Sequence, residues 1–337
     1  NMGEKQPCTS SDPHCPPDGR YQFNTDVVFE NDGSFVTKYR KFNLYGNETK
    51  VFDAPLTPEH VMFNTSFGVT FGIFTCNDIT FWDPPLVLVE KGVQNFIFPT
   101  AWGNTPPYFV SVAFQQTWSL VTGTTLLAAN FHNPTYPFLP GTGSGIYSSG
   151  TPLSTFVSGE DFAPATGHLI VAELPKGPGM GQDVVDPDRV GLYWQTGLQF
   201  VILNGTSPIS VVYKSAQANS TLTCSLSYSF KKHATNETYG LGVSLYPHYN
   251  AGCALVKCSN ASCTGTSYQP TTKASTVFSY ISLSADFPKW RAVFPVAFGN
   301  NYKLLPPEQL HHEGNTLTIK GANEPLISVS LWSMLLI

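Results

Sequence analysis

The segment FGIFTCNDITFWDPP, residues 71–85, joins an apolar run to a polar turn that contains one cysteine. The apolar run predicts a buried strand, and Cys76 follows it directly, ahead of Asn77 and Asp78. A cysteine in this place can be a nucleophile, because the strand fixes its backbone and the turn leaves its sulfur in a cleft. The residues alone leave two further interpretations of Cys76 open: one half of a disulfide, or a thiol packed in the core.

Strands and helices alternate around this segment. Residues 21–45 contain two strand-like runs around an Asx-Gly turn. Later segments predict a short helix opened by proline at 83–93, a buried strand at 95–102, an amphipathic helix at 107–125 and another strand at 126–131. Such alternation favours a two-layer or sandwiched α/β domain.

The second half of the chain has a different pattern. A Gly/Pro/Asp-rich stretch, KGPGMGQDVVDPDR, begins at residue 176 and predicts a linker at 179–190. Beyond it lie short β-branched segments separated by turns, such as LISVSLWSM at 326–334. We therefore predict two domains, residues 1–178 and residues 191–337, and we expect the second to be all-β, either a sandwich or a barrel.

The composition argues against nucleic acid as a partner. Only 12% of the 337 residues are charged, and the formal net charge is −5. The chain contains no block of Lys or Arg that could neutralise a phosphate backbone. Aromatic residues, Gly and Pro are abundant, which favours a sheet-rich protein.

The compartment is indicated by six Asn-X-Ser/Thr sequons, which together with clustered cysteines predict a secreted glycoprotein. The sequons begin at Asn47, Asn64, Asn204, Asn219, Asn236 and Asn260. The first residues, NMGEK, are polar and are no signal peptide, so we expect a processed chain or one that begins inside a longer precursor. The last segment, ISVSLWSMLLI, is too short to span a bilayer, and a lipid-anchor signal after it stays an open possibility.

The seven cysteines suggest three disulfides and one remaining thiol. Cys8 and Cys15 flank a short Pro-rich loop, which suits a local bridge. The four cysteines of the last third allow three pairings, of which we favour Cys224–Cys253 and Cys258–Cys263. A zinc site at the last three is the weaker alternative, because their spacings are wide and a secreted setting favours bridges. We predict no metal and no cofactor, and Cys76 is left unpaired.

Five ordered motifs resemble one protein family. They are YRKFNLY at 39–45, FGIFTCNDITFWDP at 71–84, FPTAWGN at 98–104, LLAANFHNP at 126–134 and GTGSGIY at 141–147. In order and spacing these motifs are similar to the vanin and biotinidase branch of the nitrilase, or carbon-nitrogen hydrolase, superfamily. The resemblance continues more weakly into the last third, so it covers nearly the whole chain.

The resemblance implies a secreted amidase with a Glu-Lys-Cys triad on an α-β-β-α sandwich, followed by a β-rich accessory domain. Cys76 matches the nucleophile, which would form a thioester with the acyl group. Lys41 matches the lysine that, with the backbone N–H of Asn77, would stabilise the oxyanion. Pantetheine is the favoured small-molecule amide substrate, on resemblance to the vanins alone.

The family's glutamate is not among these residues. In the family it precedes the Cys/Pro-rich loop that occupies residues 8–17 here. We therefore expect the sandwich to be partial in this chain and to be covered by an N-terminal fragment of the same precursor or by another chain. The alternative is a catalytically inactive, vanin-like secreted glycoprotein with a binding or structural role.

Four further residues are candidates for supporting roles near the site. Glu48 lies where the family often has a second acid, and Asp78 is expected to orient the nucleophile turn by hydrogen bonds. His132, in NFHNP, is either a loop histidine with structural hydrogen bonds or a substrate contact. Trp102 is expected either to line a substrate groove or to serve packing.

Overall fold

A mixed sheet carries the Cys76 segment. The computed structural model describes residues 2–131, 142–158, 169–174, 198–214, 221–246, 250–258, 263, 273–287 and 290–335. The strands of the first part are β1 (Met2–Pro7), β2 (Arg20–Phe29), β3 (Phe35–Arg40), β4 (Met62–Asn64), β5 (Thr70–Ile73), β6 (Asn95–Thr100), β7 (Thr125–Asn130), β8 (Thr142–Ser148) and β9 (Thr151–Ser158). Its helices are α1 (Val87–Glu90) and α2 (Ser111–Thr122).

Strands β4 to β9 form a six-stranded sheet in sequence order. The β5–β6 and β6–β7 pairs are parallel, and the outer pairs are antiparallel. Parallel neighbours require a crossover, which α1 and α2 provide. The helix expected at 83–93 is formed by a π-helical turn, Trp82–Leu86, and the single α-helical turn of α1 that follows it.

A second, antiparallel sheet of β1, β2 and β3 lies against the end of β5. The hydroxyl of Thr75, just after β5, donates to Oδ2 of Asp26 on β2. Tyr39 on β3 belongs to the same buried cluster as Phe74 and Trp118. The three-stranded sheet is therefore joined to the segment that follows β5 by a hydrogen bond and by apolar packing.

Helix α2 is buried between the six-stranded sheet and the C-terminal part of the protein. Trp118 packs on Phe74 with ring centroids 5.2 Å apart. From the opposite side of the helix, Gln116 Nε2 donates to the carbonyl of Leu305 at 2.8 Å, and Thr117 Oγ1 donates to that of Pro295 at 2.8 Å. The amphipathic helix predicted at 107–125 is present as Ser111–Thr122, and its polar side chains bind carbonyl groups of the C-terminal part.

The C-terminal part is an all-β sandwich, as predicted. Its strands are β10 (Gln199–Ile202), β11 (Ile209–Lys214), β12 (Thr221–Lys232), β13 (Tyr239–Tyr246), β14 (Asn250–Lys257), β15 (Val277–Asp286), β16 (Trp290–Gly299), β17 (His311–Glu313), β18 (Thr316–Lys320) and β19 (Leu326–Leu335). They form two five-stranded sheets, ordered β10-β13-β14-β19-β16 and β11-β12-β15-β18-β17. All pairs are antiparallel, and a second apolar cluster fills the space between the sheets.

The structure pairs six cysteines as Cys8–Cys15, Cys224–Cys253 and Cys258–Cys263. Cys76 is left as a free thiol. The linker predicted at 179–190 lies outside the described residues. Neither α1 nor α2 has the length and apolar content needed to cross a membrane, and the same holds for every helix in the described part of the chain.

Candidate active site

Cys76 begins a 3-10 turn, Cys76–Thr80, immediately after β5. Its φ is +50°, a left-handed backbone conformation that costs a residue with a side chain about 1–2 kcal/mol. The turn is held in this shape by its neighbours: the N–H of Thr75 donates to Asp78 Oδ2 at 3.0 Å, and Thr80 Oγ1 donates to the carbonyl of Asn77 at 2.7 Å. The backbone strain at Cys76 is therefore compensated by hydrogen bonds on both sides of it.

The sulfur lies at the carboxyl edge of the parallel strands. Cys76 is half-buried, and its Sγ lies 3.9 Å from the carbonyl oxygen of Ala101, which follows β6. The carboxyl ends of parallel strands are where open α/β sheets place their ligands. His132 comes two residues after the end of β7 in the sequence, and it lies outside the described residues.

Lys41 is the buried cation of the site. Its side chain is 1% exposed, and its Nζ donates to Glu48 Oε2 at 2.5 Å. Burial acts against the charged form, but the charges of Cys76 and Glu48 outweigh it and raise the pKa of Lys41 above its ordinary value. Lys41 is therefore an ammonium ion that interacts with the thiol of Cys76.

Glu48 holds that lysine in place. It lies in the 3-10 turn Gly46–Lys50, where its Oε2 also accepts the N–H of Tyr45 at 2.8 Å. Its Oε1 accepts from Asn24 Nδ2 at 2.9 Å. Both carboxylate oxygens are thus engaged, so the structure places Glu48 as a partner of Lys41.

Asp78 is fully buried inside the turn Cys76–Thr80, which we call the nucleophile turn. Its Oδ1 accepts from the N–H and the side-chain Nδ2 of Asn43, both at 2.9 Å. Its Oδ2 accepts from the N–H of Thr75 at 3.0 Å and from the hydroxyl of Tyr39 at 2.8 Å. Burial raises the pKa of Asp78 to about 6, although the Lys41 charge and these hydrogen bonds oppose that rise.

Asn77 and Trp102 lie on the two segments that flank the thiol. Asn77 is buried, and its Nδ2 donates to the carbonyl of Asn43 at 3.3 Å. The indole of Trp102 stacks on Phe114 with centroids 5.6 Å apart, and its Nε1 donates to the carbonyl of Phe109 at 3.2 Å. The Trp102 ring is therefore held in place by packing on Phe114 and by the hydrogen bond that its Nε1 donates.

Comparison with known proteins identifies the family of this chain. The model of the carbon-nitrogen hydrolase family matches residues 10–130, and that of the vanin C-terminal domain matches residues 203–335. Pantetheinase of Bos taurus is 37% identical over 355 residues, an alignment that covers 99% of this chain and 67% of that protein. This chain belongs to the carbon-nitrogen hydrolase family, in its vanin and biotinidase branch. Biotinidase of Bos taurus is 35% identical over 382 residues, covering 99% of this chain and 70% of that protein.

The family assignment of this carbon-nitrogen hydrolase rests on those sequence matches. Among solved structures, the NitN amidase from Nesterenkonia sp. AN1 is aligned at a TM-score of 0.39 and 25% identity, over 48% of this chain and 60% of that one. Each of the two family models matches within one structural unit of the chain.

Four residues of this carbon-nitrogen hydrolase site were not found from the sequence. Tyr39 and Asn43 bind Asp78, and Asp26 binds the hydroxyl of Thr75. Tyr45 is half-buried, and burial together with the charge of Cys76 raises the pKa of its phenol. The motif YRKFNLY contains three of the four, but only Lys41 within it had a residue type that suggested chemistry.

Proposed function

We propose that the protein is a secreted amidase that hydrolyses a linear secondary amide, with pantetheine as its favoured substrate. The observation that carries this proposal is the charge interaction between the buried ammonium of Lys41 and the free thiol of Cys76. A buried cation beside a cysteine sulfur can stabilise the negative charge that develops on the carbonyl oxygen when the sulfur attacks an amide. The similarity to pantetheinase of Bos taurus supports the choice of pantetheine.

The reaction would proceed in two steps through a thioester. Sγ of Cys76 bonds to the amide carbonyl carbon while the electron pair of the carbonyl moves to its oxygen. Lys41 and the backbone N–H of Asn77 stabilise that oxyanion, and its collapse breaks the C–N bond and releases the protonated amine. Water then attacks the thioester carbonyl, which releases the carboxylic acid and restores the thiol of Cys76.

The proton acceptor for the thiol must be a group other than the two acids described near it. Both oxygens of Glu48 accept hydrogen bonds, one of them from Lys41, and those of Asp78 accept four. We propose that the glutamate expected from the family takes this role. It would be supplied by a segment outside these 337 residues, as a fragment of the same precursor or as another chain that packs against the site.

Secretion is supported by the surface of the protein. Four sequon asparagines, Asn47, Asn64, Asn204 and Asn236, are exposed, as an attached glycan requires. Asn219 and Asn260 lie outside the described residues. The three disulfides also suit an oxidising compartment.

The test is alkylation of the unreduced native protein, isolated with any segment that packs against the site, by iodoacetamide and read by intact mass, with and without a pantetheine-like amide whose own thiol is blocked. Because the other six cysteines are in bridges, one rapid adduct reports Cys76, and the Cys76→Ala variant is the matched control. We expect one adduct, protection by the thiol-blocked amide and, in a separate incubation with pantetheine, release of the amine product by the wild type alone.

Two other results would change the assignment. Slow alkylation with no release of amine would support the inactive glycoprotein instead. Rapid alkylation with release of amine from a different amide, and none from pantetheine, would retain the amidase and reject the substrate.

A further inference from the structure

One buried carboxylate joins the segment that carries Lys41 to the turn that carries Cys76. Asp78 lies two residues after the nucleophile, and it accepts hydrogen bonds from Tyr39 and Asn43. These two residues stand two positions before and two positions after Lys41. The lysine is therefore bracketed by residues that bind the nucleophile turn.

The geometry leaves no acceptor position of Asp78 unused. An ionised carboxylate offers about four lone-pair sites. Four donors fill them: the N–H and Nδ2 of Asn43 at Oδ1, and the N–H of Thr75 and the hydroxyl of Tyr39 at Oδ2. Removing any one donor leaves a buried charge incompletely satisfied, so the four partners constrain one another.

The segment around Lys41 is anchored at further points. The N–H of Lys41 donates to the carbonyl of Asn24 at 2.9 Å, which continues the β2–β3 pairing by one residue. The side chain of Asn43 also donates to the carbonyl of Asp83 at 2.8 Å, beyond the far end of the Cys76–Thr80 turn. Asn43 thus joins the middle of the turn, at Asp78, to the segment after the turn, at Asp83.

We propose that Tyr39 and Asn43 are positioning residues that act through Asp78 to fix the ammonium of Lys41 relative to the sulfur of Cys76. This inference rests on the proposed function, because it concerns the same nucleophile and cation. Tyr39 acts from the sheet strand and Asn43 from the loop after Lys41, so each restrains one side of the lysine. Neither residue is assigned any contact with the substrate.

The test is Tyr39→Phe in the full chain, which removes one hydroxyl from a residue that is 0% exposed. A displaced Lys41 no longer interacts with Cys76 in the same geometry, so the rate of Cys76 alkylation, recorded as a profile over a range of pH, should change. A small misplacement of catalytic groups lowers a rate by up to about a hundredfold, and we expect kcat to fall about tenfold with little change in KM. Asn43→Ala, which loses two side-chain hydrogen bonds, should give the same two effects.

Tyr239→Phe is the matched control. This tyrosine is 3% exposed, and its hydroxyl donates at 2.8 Å to the carbonyl of Leu326 in the C-terminal sandwich. The substitution should lower thermal stability by a similar amount and leave kcat and the alkylation profile of Cys76 unchanged. If Tyr39→Phe and Asn43→Ala both lose only stability, as Tyr239→Phe is expected to do, the positioning role is wrong.

The alkylation readout separates this inference from the proposed function. A wild-type protein that hydrolyses no amide, but whose Cys76 profile shifts in Tyr39→Phe, would overturn the activity and retain the positioning role. A wild-type protein that hydrolyses pantetheine, with unchanged kcat and profile in both variants, would retain the activity and overturn the positioning role. Asn43→Ala also decides the matter if Tyr39→Phe does not fold.

Discussion

The nucleophile turn and the interior of the C-terminal sandwich are both buried, but different interactions hold them together. Around Cys76 the buried side chains include three charged residues, Asp26, Lys41 and Asp78. Around the Cys224–Cys253 bridge the neighbours in the core are apolar, and they include Leu222, Leu226, Leu241 and Leu283. The first region is held by hydrogen bonds between specific partners, and the second by apolar packing and a covalent bond.

This difference separates activity from stability within one chain. Burying a charge is unfavourable unless each of its polar atoms finds a partner, and the turn satisfies that condition with groups drawn from both sheets. The sandwich buries apolar surface, which stabilises the fold without fixing any single side chain as tightly. Substitutions in the turn should therefore affect catalysis more than stability, and substitutions in the sandwich should affect stability more than catalysis.

The largest effect is expected for Lys41→Met, which removes the buried ammonium and keeps an unbranched side chain. Amide hydrolysis should fall at least about a thousandfold, because the oxyanion and the thiolate both lose their cation. The rate of Cys76 alkylation should change in parallel, because the cation beside the sulfur is gone. Turnover of pantetheine and the alkylation profile check both statements.

Lys38→Met is the control for that change. Lys38 lies on β3, three residues before Lys41, and its Nζ binds Glu4 at 2.5 Å instead of the site. We expect turnover within about twofold of the wild type for this variant, as for a partly exposed ion pair. Turnover of Lys41→Met within tenfold of the wild type would contradict the role given to the lysine.

The sequence predicted the separation into two units and the residues with the most reactive side chains. Cys76 and Lys41 stand in motifs, and the structure brings them together. The bridges Cys224–Cys253 and Cys258–Cys263 were favoured among three possible pairings, and the structure contains both. Reactive residue types and short spacings are visible in a sequence because they require no knowledge of packing.

The supporting contacts were missed because they depend on tertiary structure. Thr75 binds Asp26 across 49 positions of sequence, and Tyr39 binds Asp78 across 39. The buried polar face of α2 was missed for the same reason, since the partner of Gln116 is the carbonyl of Leu305, 189 positions away. An apolar period indicates which face of a helix is buried, but it does not show that a second unit covers the other face.

The next effect in size concerns the bridge of the C-terminal sandwich. Cys224 and Cys253 are 29 positions apart, and closing a loop of that length restricts the unfolded chain by about 3–4 kcal/mol. The double substitution of Cys224 and Cys253 by Ala should lower the free energy of unfolding by about that amount. Denaturant unfolding measures it. Alkylation of Cys76 under native conditions should not change, and an altered alkylation profile would show that the two regions are not separable in this way.

The smallest effect, and the sharpest test of the comparison, is the pH dependence of Asp78→Asn. Burial raises the pKa of Asp78 in the folded protein from 3.8 to about 6, against the opposing charge of Lys41. The stabilisation from this group is therefore fully present below about pH 3.8 and is lost as the pH rises through about 6. Acidification from pH 7 to pH 4 should stabilise the wild type relative to Asp78→Asn by about 2 kcal/mol.

Catalysis should respond to the same titration in the opposite direction. The four donors around Asp78 require the ionised carboxylate, so the activity of the wild type should fall as the pH drops through about 6 while its relative stability rises. The other ionisable groups of the buried cluster are Asp26, Tyr39, Lys41 and Cys76. Both proteins contain them, so their contributions largely cancel in the difference between the two free energies of unfolding. Thermal denaturation of both proteins at pH 4, 5, 6 and 7 measures that difference. A difference that does not vary with pH would mean that folding does not raise the pKa of Asp78, and that the buried charge at the nucleophile turn is fully compensated by its hydrogen bonds.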